Sequence, residues 1–378
     1  MTLDSPPHPA LLPAGLRDLL PPDAETEAAS VEAVMACFAA HGYQRIKPPL
    51  LEFEEGLLSG SGAAVAEQIF RLMDPDTHRP IGIRADMTPQ VARIASTRLV
   101  QVPRPLRLSY AGQCLRVRPT GPAADRQIAQ AGIELIGPDS PQADAEPALV
   151  AAEALAALGL TRISFDLTMP PLVTSLLDEA AYAPPRRHAL AHALDRKDAA
   201  AVAELAGDHA ATLTDLLLAA GPVDGALAAL QRAALPPAAR QHAARLAATV
   251  AALRAAAPAL RVTLDPVEFR GYRYHTGVCT TVYAPGRHEE LGRGGRYLCG
   301  TEPASGLTLY PDAILRAAPP RRPRRRVWLA AGHDPARAAA LRAEGFATVP
   351  ALDAASDQAA AQGCAFVLEG DTLRPLEI

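Results

Sequence analysis

Apolar and polar positions along the chain follow two different periods, and the switches between them divide the sequence into three textures. From about Leu11 to Thr168, helical stretches are interleaved with short β-type runs: RIKPPLLEF, IGIRADM, LRLSYAGQCLRV and AGIELIG. Side chains alternate faces on a strand and return to one face every 3.6 residues on a helix, so this part predicts helices packed around a sheet. From about Pro171 to Leu260 the texture is helical, rich in Ala and Leu with charges at helical intervals (ALAHALDRKDAAAVAELAG, AARQHAARLAATVAALRAAA). Pro and Gly interrupt it, which predicts several short helices. Strand texture then returns in RVTLDPVEF, GVCTTVYA and ASGLTLY, so the helical block is expected to be inserted into a domain whose sheet is completed from both sides. The basic, proline-interrupted run PPRRPRRR (319–326) reads as a solvated linker, with a nucleic-acid patch as the alternative. Beyond it, VWLAAG, ATVPAL and CAFVLEG alternate with the helical PARAAALRAEG, as suits a small α/β segment.

Composition narrows the classes. A length of 378 residues predicts two or three domains. Hydrophobic residues at 49% and charged residues at 21% argue against wholesale disorder. The net charge of -4 gives the whole molecule no electrostatic footprint for nucleic acid. Five scattered cysteines without CxxC or Cys/His ligand spacing favour a reducing compartment, with no metal and no cofactor expected. The segment MTLDSPPHPALLPAG lacks the basic-then-apolar order of a signal peptide. The most apolar stretch, Leu216 to Leu230, is broken by Pro222 and Asp224 and falls short of the ~20 apolar residues a membrane span needs. The expectation is a soluble, cytoplasmic protein.

Two segments concentrate groups suited to a small zwitterion: RADMTPQ (84–90) and the run from Gln113 to Glu134. On a strand, Gln130 and Glu134 share a face, and with Asp86 they can surround an ammonium group. Arg116 and Arg270 can answer a carboxylate, because a guanidinium binds one bidentately and keeps its charge when buried. In PVEFRGYRYHTGV, Tyr274 and His275 suit a polar ring, although ordinary half-buried packing for Tyr274 and a surface place for His275 fit as well. GRGGRY (292–297) reads on its own as a turn or bulge and fits no P-loop or dinucleotide pattern.

As an ordered series, PAGLRDLLP, HGYQRIKPPLLE, RADMTPQVAR, AQAGIELIG, RGYRYHTG and GGRY resembles histidyl-tRNA synthetase, a class II synthetase. It is closer still to the synthetase's paralogue family, the regulatory subunits of ATP phosphoribosyltransferase. The similarity spans about residues 11 to 316. It implies an α+β fold: a class II synthetase-like antiparallel sheet flanked by helices, with a helical insertion and a small C-terminal α/β segment. The implied division is 1–168 with 261–318 as a discontinuous histidine-binding domain, 169–260 as the insertion, 319–326 as linker and 327–378 as the C-terminal segment. HGYQRIKPPLLE is similar to motif 1, which places Pro48 and Pro49 near a homodimer interface.

The resemblance carries Asp86, Thr88, Gln130 and Glu134 onto positions that hold the α-amino end of histidine. Arg116 falls on the motif 2 arginine, Arg270 on the arginine at the carboxylate, Tyr274 on a tyrosine at the imidazole, and His275 where the synthetase has a second tyrosine. The ATP side departs from the pattern. Arg118 replaces the glutamate that meets adenine, and in GLTLYPDAILR Ala313 replaces the arginine that grips the phosphates, with Tyr310 at a motif glycine. Loss of one such donor typically costs on the order of 100 to 1,000-fold in rate. Arg316 sits one helical turn away, behind a proline expected to disturb the helix. The stretch after the basic run is also short for an anticodon-binding domain of about one hundred residues.

The resemblance therefore implies no catalytic residue and no tRNA partner. The implied protein is a regulator that activates a short-form ATP phosphoribosyltransferase catalytic subunit in a hetero-oligomer and confers feedback inhibition by L-histidine in histidine biosynthesis. The alternatives are a stand-alone amino-acid-binding or adenylate-forming paralogue and an active histidyl-tRNA synthetase.

Overall fold

The chain enters its core through α1 (Asp23–Ala40), which buries Ser30, Val34, Met35 and Phe38 along one stripe and carries Asp23 and Glu25 in its first turn, where they complement the helix dipole. The helix is stopped by Gly42 at φ +80°, with Gly42 N–H donating to Ala39 O (3.0 Å) and Tyr43 N–H to Phe38 O (3.0 Å). This paired closure needs a left-handed residue, which glycine adopts without strain. A computed structural model describes residues 11–119, 125–269, 274–352 and 358–376.

After α1 come β1 (Gln44–Arg45), β2 (Leu51–Phe53), α2 (Glu54–Leu57), β3 (Phe70–Met73), β4 (Pro80–Ile83), α3 (Thr88–Thr97), β5 (Leu106–Leu115), β6 (Gln127–Ile136), α4 (Pro141–Ala157) and β7 (Ser164–Thr168). A helical run follows: α5 (Pro170–Glu179), α6 (Pro184–Asp195), α7 (Ala199–Leu205), α8 (Ala210–Leu218), the short β8 (Gly221–Pro222), α9 (Val223–Arg232) and α10 (Pro237–Ala256). The chain then returns through β9 (Arg261–Asp265), β10 (Cys279–Tyr283), β11 (Glu290–Cys299), β12 (Glu302–Leu309) and α11 (Pro311–Ala317).

These strands build a nine-stranded sheet in the order β1-β5-β6-β12-β11-β10-β7-β9-β8, and a small sheet in the order β2-β4-β3. Pairing in the large sheet is antiparallel except for β1 with β5 and β7 with β9. β7 and β9 lie side by side although the whole helical run separates them in sequence, with Thr168 opposite Asp265. The helices share one core with the sheet: Leu172, Val173, Leu216, Leu246 and Leu253 pack in the same cluster as Phe165, Leu167, Leu264, Phe38 and Leu155.

One buried ion cluster joins three elements of this core. Asp144, in the first turn of α4 with its side chain fully buried, takes Arg245 of α10 on one oxygen (Nε to Oδ2, 2.6 Å) and Arg296 of β11 on the other. Asp139 adds a second carboxylate to both arginines, at 2.9 Å and 3.3 Å. Asp144 and Arg296 are the buried pair at its centre, and removing either strands the other's charge away from water.

The chain divides into two units, the first ending at Pro319 and the second beginning at Pro320. The second holds β13 (Arg326–Leu329), α12 (Pro335–Ala343), β14 (Ala347–Pro350), β15 (Phe366–Glu369) and β16 (Thr372–Pro375). Its sheet has the order β14-β13-β15-β16, and Val327, Leu329, Ala338, Leu341 and Leu368 form its core. The last arginine of the basic run, Arg326, is already part of β13, so the strand begins one residue inside the segment read as linker. Among the described residues no helix is long and apolar enough to cross a membrane.

Asp144→Ala is expected to destabilise the first unit by about 3 to 5 kcal/mol, because it leaves the buried Arg296, and Arg245, with only the exposed Asp139. Urea unfolding followed by far-ultraviolet circular dichroism measures this.

Candidate functional site

The site rests on one face of the central strands, and their register decides which side chains meet. Residues directly opposite one another across a sheet share a face. Glu134 of β6 stands opposite Leu108 of β5 and Gly306 of β12, and Gly132 stands opposite Tyr110 and Thr308. Gln130 stands opposite Gly112. Tyr110, Gln130, Glu134 and Thr308 therefore each have a glycine neighbour on this face. A Cβ on Gly306 would sit 1.8 Å from Glu134 Oε2, one on Gly132 would sit 2.4 Å from the Tyr110 hydroxyl, and one on Gly112 would sit 2.4 Å from Arg84 Nη2. Tyr110 crosses above Gly132, with its hydroxyl 2.7 Å from Thr308 Oγ1.

The RADMTPQ segment closes over this face between β4 and α3. Arg84 is buried and donates from Nε to Gln113 O (2.8 Å) and from Nη1 to Pro48 O (3.1 Å), which locks the segment to β5 and to the chain ahead of β2. Gln130 then donates from Nε2 to Asp86 Oδ1 (3.0 Å) and accepts from Met87 N–H on Oε1 (3.0 Å). Thr88 donates to Glu134 Oε1 (3.0 Å). Asp86, Thr88, Gln130 and Glu134, singled out from the sequence, are thus brought together in one hydrogen-bonded group. Arg116, just past β5, donates from Nε to Ala85 O (3.3 Å), beside Asp86.

Tyr274 and His275 are half-buried and stacked, with ring centroids 4.2 Å apart and planes at 26°. Tyr274 meets Tyr297 edge-on at 6.0 Å. Burial, and then the negative charges of Asp86 and Glu134, push the Tyr274 hydroxyl pKa well up. Burial lowers the His275 imidazole to about 3, with Arg293 adding to the effect, so this ring is neutral at physiological pH. The surface position open to His275 in the sequence is not the one it takes. Arg270 lies outside the described residues.

Four residues join the site that residue patterns alone did not mark for it: Tyr110, Arg293, Tyr297 and Thr308. Arg293 and Tyr297 come from GRGGRY, which is no turn: it lies inside β11, with the irregularity at its start. A register shift at its start skips Leu291, and beyond that Gly294 and Gly295 allow backbone contact with β12 and β10. The parity of β11 was the available signal: Gly295 opposes Gly306, so Arg293 and Tyr297 fall on the same face as Glu134.

The centre of the site is a buried carboxylate with half its hydrogen bonds missing. Glu134 is 1% exposed and Tyr297 2% exposed, and neither Glu134 Oε2 nor the Tyr297 hydroxyl has a hydrogen-bond partner of ordinary geometry among the described residues. The two are close enough for the hydroxyl to favour the ionised carboxylate, as does Thr88, yet burial dominates and raises Glu134 to about 8. Leaving such groups unpaired costs about 1 to 3 kcal/mol each. An ammonium group would satisfy the free oxygen and remove the desolvated proton. Arg116 and Arg293 act electrostatically on the Tyr310 hydroxyl together with Asp86, so cationic and anionic groups face one small volume.

On the side where a synthetase holds ATP, Arg118 is exposed, and among the described residues its backbone N–H is held by Gln68 Oε1 (3.2 Å). Ala313 is buried on α11. Pro311 does not disturb that helix as expected; it occupies the first position, where its missing N–H costs nothing. Arg316 is held by both oxygens of Glu289 and lies 3.6 Å from Asp125.

Comparison with known proteins places this geometry. Residues 15–314 match the family model for histidyl-tRNA synthetase. A crystal structure of an ATP phosphoribosyltransferase regulatory subunit/histidyl-tRNA synthetase from Bacillus halodurans C superposes with a TM-score of 0.80 at 23% identity, covering 96% of this chain and 99% of that one. Histidyl-tRNA synthetase from Nostoc sp. PCC 7120 gives 0.77 at 19% identity, covering 94% and 90%. The fold is thus α+β, of the class II aminoacyl-tRNA synthetase type in its histidyl branch. Curated relatives resolve the branch further. The ATP phosphoribosyltransferase regulatory subunit of Gluconobacter oxydans (strain 621H) is 54% identical over 374 residues, 98% of each chain. That of Rhodospirillum centenum (strain ATCC 51521 / SW) is 50% identical over 376 residues, 98% of this chain and 97% of that one. The chain belongs to the family of ATP phosphoribosyltransferase regulatory subunits.

Glu134 makes stability depend on pH. Its folded pKa, about 8, lies above the ordinary 4.5, so the native state holds a proton the unfolded state has released. Stability is therefore full below about pH 4.5 from this group and falls as pH rises toward 8. Glu134→Gln is expected to raise the melting temperature by several degrees at pH 8 and to change it little at pH 5, read by thermal denaturation at both values.

Proposed function

We propose that this chain is a non-catalytic regulatory subunit of ATP phosphoribosyltransferase, that it activates a short-form catalytic subunit, and that histidine bound in its own pocket inhibits the complex. The observation that carries the ligand class is the buried Glu134 Oε2, which has only the Tyr297 hydroxyl beside it and no hydrogen bond of ordinary geometry, at the buried end of a site lined by both signs of charge. In this reading the α-ammonium lies among Asp86, Thr88, Gln130 and Glu134, the carboxylate meets Arg116 and Arg270, and Tyr274 with His275 faces the imidazole. A neutral His275 suits that last role, since a charged ring would repel a protonated ligand.

The family supports the regulatory role, and the ATP side supports the lack of aminoacylation: Ala313 offers no charge, Arg118 offers a donor where an acceptor is needed, and Arg316 is already engaged. Binding without turnover is what an effector site requires. Histidine then acts by preferring one state of the complex, and a coupling of roughly 1 to 3 kcal/mol is enough to shift the partner's activity. The same reading takes the chain as a homodimer core within a cytoplasmic hetero-oligomer, independent of tRNA. Exposed Leu50, Leu51, Leu72 and Met73, near motif 1, support the dimer. The side-by-side pairing of β7 and β9 supports a discontinuous histidine-binding domain around the helical insertion.

The test is the initial rate of the short-form catalytic subunit from the same source, with and without this chain, across a histidine titration. The expected result is a higher rate that histidine lowers, with that sensitivity weakened by Glu134→Ala, and no ATP-dependent pyrophosphate exchange. An unchanged rate with no association between the two proteins would overturn the assignment in favour of a stand-alone amino-acid binder. Histidine-dependent pyrophosphate exchange would instead identify an active synthetase.

A further inference from the structure

Where the end of α1 packs against α4, at the edge of its buried stripe, three side chains of different chemistry converge. Cys37 in the last turn of α1 and His41 at its C-cap are four residues apart, and so near one face. Glu153 projects from α4, which packs against α1 through the core containing Val34, Phe38, Val150 and Ala154. One donor atom from each lies within 4.8 Å of the other two. His41 Nε2 and Glu153 Oε2 are already 2.9 Å apart, and Cys37 Sγ rests 3.9 Å from Val150 O. Against the sequence expectation of no Cys/His ligand spacing, Cys37 and His41 form a C-x3-H pair, and the packing of α4 on α1 brings Glu153 to it.

We propose that Cys37, His41 and Glu153 form a binding site for a borderline-soft divalent cation of the Zn2+ type, with water completing the coordination. A thiolate, an imidazole and a carboxylate together suit Zn2+, whereas Mg2+ and Ca2+ take oxygen ligands alone. Zinc bonds of roughly 2.0 to 2.3 Å place tetrahedral ligands about 3.3 to 3.7 Å from one another, so the three donors need only close by roughly 1 Å. The backbone is held on both sides: Gly42 fixes the end of α1 beside His41, and Phe38, next to Cys37, is fully buried. The two side chains that must move are the accessible ones, 36% exposed for His41 and 65% for Glu153. Cys37 is also the only one of the five cysteines that is not buried, so a cation reaching this surface finds one thiol. The cation would join α1 to α4 on the outer surface of the first unit.

The competing reading is a plain His–Glu ion pair with a bystander thiol, and cobalt separates the two. The full chain, treated with chelator and kept reduced, is titrated with Co2+ and followed by absorption. The expected result is one Co2+ per chain, a thiolate-to-cobalt charge-transfer band in the near ultraviolet, and displacement by Zn2+. Cys37→Ser should abolish the band, and His41→Ala, a surface change that leaves the circular dichroism unaltered, should weaken binding by more than an order of magnitude. Absence of the band, its persistence in Cys37→Ser, or unchanged affinity in His41→Ala would each overturn the proposal.

Discussion

The arrangement of the first unit depends on keeping a carboxyl group inside a sheet. Glu134 lies on β6 between β5 and β12 and cannot reach water, so its surroundings must supply what solvent would. Thr88 and Tyr110 supply part of this on one oxygen. Gly306 supplies the space, and Arg84 anchors the segment that carries Thr88 and Asp86. The other oxygen remains unsatisfied, which fits a protein that tolerates local cost where it binds a ligand.

Much of this was legible in the sequence, for an identifiable reason. AQAGIELIG alternates cleanly, so the shared face of Gln130 and Glu134 follows from strand parity alone, and the register confirms it. The return of strand texture after the helical stretch likewise anticipated that β7 and β9 belong to one sheet. What stayed hidden depends on pairing between distant strands. Tyr110 and Thr308 meet across β6 at a sequence separation of 198 residues, and no local pattern fixes that register. The strand character of GRGGRY was hidden, beyond the irregularity at its start, because glycines usually weaken a strand interior, whereas here they admit neighbouring backbone. Pro311 misled for a similar reason: the residue type was read correctly but its place at the first helical position was not.

The two faces of β11 carry different duties. Its pocket face presents Arg293 and Tyr297, while Arg296 turns the other way into the Asp144 and Arg245 cluster that fastens α4 and α10. The strand has few side chains of its own to pack, and Gly292, Gly294 and Gly295 bring it against β12 and β10 instead. Side chains of the candidate site and the attachment of the helical run therefore share ten residues of backbone.

The glycines at 112, 132 and 306 shape the pocket by what they lack. Alanine scanning assumes that alanine is the blank residue and that each substitution subtracts. At these three positions the blank is already present, and alanine is an addition that collides with Arg84, Tyr110 or Glu134. A scan of this protein would assign its largest effects to residues that need never touch a ligand, and the map it drew would be of the mould rather than the contacts.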